Sequence, residues 1–200
     1  PQSLAWHNST LWMGSMETQD IYQINPESMS VLWQTKAPGT PFGMTSIGDE
    51  LRVLCGETEE DYRIIRRLIP GKGFDTVFKQ PCPDDTGSQL SFDGQQLHVS
   101  QWYNKVVLAL GSDEQVTRSI TSPHGIAGQV FADNRIYLVT TDNEETDEYF
   151  LTRIDLDGEN PVATDIAQIP FGARSLAFDG QNFWTNHREQ NEIVCFKRPD

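Results

Sequence analysis

The chain has 200 residues, 37% of them hydrophobic and 22% charged, which is enough for one domain with a substantial core and argues against wholesale disorder. Its net charge of −14, with Lys and Arg scattered along the chain, argues against nucleic acid and anionic membrane as partners, since phosphate binding needs a concentrated basic surface. The longest purely apolar run, residues 106–110, is far too short to span a bilayer as a helix.

Taken in chain order, one pattern recurs five times. In the first repeat (1–40) Leu4-Ala5-Trp6 turns at His7-Asn8-Ser9 into Leu11-Trp12, and strand-like runs follow at 20–24 and 31–35, parted by Asn25-Pro26. In the second (41–86) Met44 leads through Gly48-Asp49 to Leu51-Arg52-Val53, then to runs at 63–68 and 76–79 around Pro70-Gly71. The third (87–123) reads Leu90-Ser91-Phe92, Asp93-Gly94, Leu97-His98-Val99, then 105–110, Gly111-Ser112 and 116–120. The fourth (124–171) reads Val130-Phe131, Asp133-Asn134, Ile136-Tyr137-Leu138, then 150–154, Asp157-Gly158 and 162–169. The fifth (172–200) reads Leu176-Ala177-Phe178, Asp179-Gly180, Phe183-Trp184 and 192–196, with only Arg198, Pro199 and Asp200 beyond.

With Leu11, Leu51, Leu97, Ile136 and Phe183 as anchors, the offsets are 40, 46, 39 and 47. A period of this size in an all-β pattern is what a four-stranded propeller blade needs. Asp-Gly and similar pairs supply the positive φ of two-residue hairpins, and no stretch holds a helical period. The expected fold is therefore an all-β, five-bladed propeller in a single domain, residues 1–200, of nineteen strands with a three-stranded last blade. A sandwich or a piece of a larger propeller is the alternative.

Pro41-Phe42-Gly43-Met44, Pro123-His124-Gly125-Ile126-Ala127 and Leu176-Ala177-Phe178-Asp179-Gly180 give the repeat a resemblance to a propeller superfamily. That superfamily holds virginiamycin B lyase, the gluconolactonase-like proteins and the NHL-repeat proteins. The resemblance covers nearly the whole chain and implies the fold; reaction and ligand do not follow from fold alone. At His124 it implies a catalytic base. The lyase family also places a Glu at the end of the following strand, where this chain has Val139-Thr140-Thr141, and its metal-site residues have no counterparts that can be mapped.

In such a ring the tight hairpin turns share one face, and the loops into each blade share the other with the loops between second and third strands. The second face carries the chemistry. His124 stands there as acid, base or ligand. Arg174, His187 and Arg188 belong to the same face and suit an anionic group. Trp102 and Tyr103 offer a stacking platform or a cover for the channel edge. Two acidic loops, Glu57-Glu59-Glu60-Asp61 and Asp142-Glu144-Glu145-Asp147-Glu148, together with Asp84 and Asp85, raise calcium or magnesium, though without the framing of a dedicated calcium loop. His7 and His98 read as structural.

Cys55, Cys82 and Cys195 form no CxxC pair, and free thiols in apolar runs favour a reducing, cytoplasmic compartment. Pro1 directly before a strand suits a cytosolic chain, and a trimmed secreted one equally. The functional reading is a monomeric propeller that binds a small molecule or peptide at its channel mouth. The alternatives are a metal-assisted lyase or hydrolase, with His124 as base and Asp84, Asp85, Glu57 or Asp142 near the cation, and a protein-interaction scaffold.

Overall fold

Each repeat folds into one antiparallel meander. The computed structural model describes residues 2–146, 148–158 and 160–199, and the description that follows is of those residues. Asp147, read as part of the second acidic loop, and Pro1 lie outside them. Blade A is β1 (Ser3–His7), β2 (Thr10–Gly14), β3 (Asp20–Ile24) and β4 (Val31–Lys36). Blade B is β5 (Thr40–Ile47), β6 (Glu50–Glu57), β7 (Tyr62–Ile69) and β8 (Gly73–Pro81). Blade C follows as β9 (Gln89–Phe92), β10 (Leu97–Gln101), β11 (Val106–Leu110) and β12 (Val116–Thr121). Blade D is β13 (Gly125–Ala132), β14 (Arg135–Thr141), β15 (Tyr149–Asp155) and β16 (Ala163–Ile169). Blade E has three strands, β17 (Ala177–Phe178), β18 (Asn182–His187) and β19 (Glu192–Lys197).

The innermost strands β1, β5, β9, β13 and β17 contact one another in turn, and β17 meets β1 to close the ring. Between the blades lie five apolar clusters, one per interface. Each anchor of the sequence repeat occupies a different one: Leu11 between E and A, Leu51 between A and B, Leu97 between B and C, Ile136 between C and D, and Phe183 between D and E. The repeat therefore exists because each blade must bury both faces against its neighbours. The interface between E and A is sealed by Trp6 stacked on Trp184, with centroids 6.0 Å apart, over Leu4, Leu11 and Ala177.

Local chemistry sets the turns. Asn8 and Ser9 (φ 47° and 58°) and Asp133 and Asn134 (φ 49° and 60°) form two-residue hairpins with positive φ at both positions. The Asp-Gly pairs of blades C and E do not, contrary to expectation, form two-residue turns. Their loops are longer, because the aspartate turns the chain with its own side chain. Asp93 Oδ1 accepts from the amides of Gln95 and Gln96 at 2.7 and 2.6 Å, and Asp179 Oδ1 from those of Gln181 and Asn182 at 2.8 and 2.6 Å. β5 also begins at Thr40, four residues before the expected Met44, because a bulge between Pro41 and Gly43 carries pairing through the proline.

Two glycines set how closely the blades approach around the axis. A Cβ on Gly43 would fall 2.6 Å from Gln89 Cα, and one on Gly128 would fall 2.8 Å from the Ser175 carbonyl carbon. Both follow register shifts at equivalent places in β5 and β13. Among the described residues the one helical element is a short 3-10 turn, Pro83–Asp85, and no helix is long and apolar enough to cross a membrane.

Candidate functional site

The blade-entering loops and the loops between second and third strands gather on one face, as the repeat implied. At the channel mouth they enclose a cavity of about 490 Å³. Every blade contributes: Gln2 from A, Phe42 and Arg63 from B, Gln89, Trp102 and Tyr103 from C, Ile126 and residues 142–145 from D, and Arg174 from E. A second cavity, about 560 Å³, runs outward between blades E and A past Met13, Met16, Tyr22 and Ile193, and it shares Gln2 and Arg174 with the first.

The polar groups of the mouth are held by backbone and by one another. Gln89 Nε2 donates to the Phe42 carbonyl at 2.8 Å and to the Arg174 carbonyl at 3.4 Å, tying three blades together. Arg63 lies over the Phe42 ring, 3.4 Å from its centroid, and pairs with Asp61 at 2.9 Å. The Trp102 amide donates to Ser88 Oγ at 2.9 Å, and its indole fills the space that a Cβ at Gly125 would need. Tyr103, by contrast, is 91% exposed at the rim.

Arg174 and Arg188 converge on one carboxylate. Arg174 Nη2 donates to Glu144 Oε2, and Arg188 Nη1 lies 3.3 Å from the same oxygen. Arg174 Nη1 also donates to Gln2 Oε1 at 3.0 Å, and Arg188 Nη1 to Tyr149 Oη at 3.0 Å. Glu144 was legible only as one member of an acidic run. Nothing in the sequence says that two arginines from another blade, 30 and 44 residues on, close upon it.

His124 is placed away from this group. Its ring stacks on Phe150 with centroids 5.0 Å apart, while Nδ1 lies 2.7 Å from Asp142 Oδ2 and Nε2 3.1 Å from Asp165 Oδ2. Burial disfavours the imidazolium, but the hydrogen bonds and charges of the two aspartates outweigh it and raise the pKa above the ordinary value. Asp142 is held below the usual carboxylate range by Lys105, at 2.7 Å, and by His124. From Asp165 the line continues inward, because Thr152 Oγ1 donates to it at 2.6 Å and lies 2.7 Å from Thr140 Oγ1. His124 is thus wedged over the outer strands of blade D, and it reaches the mouth cavity only through Asp142. His187 stacks on Phe171, with centroids 4.6 Å apart, and likewise does not join Arg174 in the cavity lining.

The acidic residues raised as cation ligands do not assemble. Glu57 faces Arg66 at 3.6 Å, Asp84 and Asp85 are exposed on the 3-10 turn with positive φ, and Asp142 is taken by Lys105 and His124. Among the described residues no three His, Cys, Asp or Glu side chains gather as a metal site would require. The cysteines are all free. Burial pushes the Cys55 and Cys82 thiols up to about 12, which leaves them unreactive. Cys195, expected to be buried in its apolar run, is exposed, because blade E has no fourth strand to cover β19.

By sequence the chain matches no known family and no curated protein. Its fold does find likenesses. Virginiamycin B lyase from Staphylococcus aureus, solved as a catalytically inactive variant with quinupristin, aligns with a TM-score of 0.56 at 14% identity, over 98% of this chain and 69% of that one. A structure of a nidogen–laminin complex aligns at 0.62 and 12% identity, over 94% of this chain and 89% of the other. BamB from Moraxella catarrhalis aligns at 0.51 and 12%, over 98% and 57%. At such identities the common property is architecture: this chain is a five-bladed β-propeller.

Proposed function

We propose that the chain is a binding propeller whose ligand, a small molecule or a short peptide segment, sits in the mouth of the central channel. The observation that carries this reading is the 490 Å³ cavity, to which all five blades contribute. Its size lies in the range that encloses a metabolite-sized ligand, and its lining, mostly polar and charged side chains, is carried on a rigid ring. Gln89, Arg174 and Arg63 supply directional contacts, and the Trp102 indole supplies a flat apolar wall. The liganded neighbours in fold, quinupristin on a lyase and laminin with nidogen, lend support only for propellers as a class.

A thermal-shift screen of metabolites and short peptides, with the hits repeated on Trp102→Ala and Arg174→Ala, tests the reading. Hits are expected to lose at least about tenfold in affinity in both variants, the size of one lost directional or stacking contact. Hits that bind both variants as they bind the parent would move the site elsewhere.

A further inference from the structure

The two arginines of blade E already hold an anion, and that anion belongs to the protein. Arg174 and Arg188 reach Glu144 from positions before β17 and after β18, while Glu144 comes from the loop between β14 and β15 of the neighbouring blade. Each guanidinium has a second, neutral partner outside that loop, Gln2 Oε1 for Arg174 and Tyr149 Oη for Arg188. Both would therefore keep their positions if the carboxylate left. Arg174 Nε is buried and has no acceptor among the described residues, so the guanidinium has capacity that Glu144 does not use. Arg174 also lines both cavities, the mouth and the groove between blades E and A. Glu144 itself is partly exposed and sits on a short loop, held by the turn around Asn143 and by Arg188 Nη1, which donates to the Glu144 backbone carbonyl at 3.1 Å, a contact that does not need the carboxylate.

We propose that Arg174 and Arg188 form a carboxylate-binding site whose occupant in the free protein is Glu144, and that a carboxylate-bearing ligand enters by exchanging with it. The proposal rests on the mouth being the ligand's place, and it adds the ligand's chemical class and the step that admits it. Two planar guanidinium forks suit a carboxylate better than any point charge would. The tethered Glu144 competes at an effective concentration on the order of millimolar or above, so a simple carboxylate binds the unaltered protein weakly. Full neutralisation of Glu144, with its shape kept, removes the competitor and leaves the forks in place.

The test is calorimetric titration of succinate, with uncharged succinamide as the control, into the parent protein, Glu144→Gln, and Glu144→Gln combined with Arg174→Gln and Arg188→Gln. Glu144→Gln is expected to bind succinate at least tenfold more tightly than the parent, the triple variant to lose that gain, and succinamide to show no difference. Equal succinate affinity in the parent and Glu144→Gln, or a gain that survives the loss of both arginines, would overturn the exchange. Glu144→Ala serves if the glutamine variant folds poorly. On the parent protein, saturating succinate should speed hydrogen exchange at the amides of residues 143–146, and unchanged exchange there counts against the proposal. Failure here is separable from failure of the mouth as a site. Screen hits that weaken in Trp102→Ala while Glu144→Gln gains nothing overturn the exchange alone. Hits indifferent to Trp102→Ala, with a succinate gain that still depends on the arginines, overturn the mouth and keep the guanidinium pair.

Discussion

At His124 both ring nitrogens face a carboxylate, and the resulting stabilisation has a definite pH signature. The folded pKa is raised, so the stabilising effect is complete below the unfolded value near 6.5 and is lost as pH rises through the folded value. His98 has the opposite sign. Burial lowers its pKa despite Asp93, so protonation opposes folding, and stability is lost as pH falls below the unfolded value. Melting curves between pH 5 and 8 should therefore show parent-minus-His124→Gln stability falling with pH and parent-minus-His98→Gln stability rising. Two curves of the same slope would contradict the assignment. The same ion pairs govern the response to divalent cations. Since Asp142, Glu57, Asp61 and Glu144 all face cationic side chains, calcium or magnesium should give no saturable rise in Tm beyond screening. A saturable rise that disappears in Asp142→Asn with Glu145→Gln would point to a cation there.

Among the elements, the inner strands are packed closely enough that single methyl groups matter. Gly43→Ala and Gly128→Ala each force a Cβ against a neighbouring inner strand, Gln89 or Ser175, which should cost about 1–3 kcal/mol in chemical denaturation. Gly48 at φ 58° has open space around it, so Gly48→Ala should cost only about 1–2 kcal/mol, from backbone conformation alone. Crowding of the inner strands would be refuted if both bulge glycines tolerated alanine as neutral changes. This level also shows what the sequence made legible. The anchors Leu11, Leu51, Leu97, Ile136 and Phe183 were readable because each fills an interface between blades, and burial imposes the same apolar choice five times. The third strands of blades A to D, β3, β7, β11 and β15, were readable for the same reason, since each carries buried apolar residues. The partners of His124 were not, because Asp142 and Asp165 lie 18 and 41 residues away and were brought to it only by the pairing of β14, β15 and β16. The Glu144 clamp was hidden likewise, since a run of acids looks solvated whichever member is paired.

For the molecule as a whole, the closure of the ring carries a kinetic consequence. Every blade is made of one continuous segment, and among the described residues no strand from the beginning of the chain pairs with one from its end. Nearly all contacts therefore link residues within one repeat or in successive ones, while Trp6 on Trp184 and Gln2 on Arg174 join residues more than 170 positions apart. Loop-closure entropy is largest for those two, so blades should form and stack in succession and the join between E and A should form last. An interaction absent from the transition state changes the unfolding rate and not the folding rate. Trp184→Ala, removing about 2 kcal/mol of half-buried packing, should speed unfolding by about thirtyfold and leave refolding within about twofold in stopped-flow measurements. Slowed refolding would instead make this join part of the nucleus. If unfolding alone responds, the ring lives as long as its last-made contact holds, and the half-life of the native state is set by two stacked indoles.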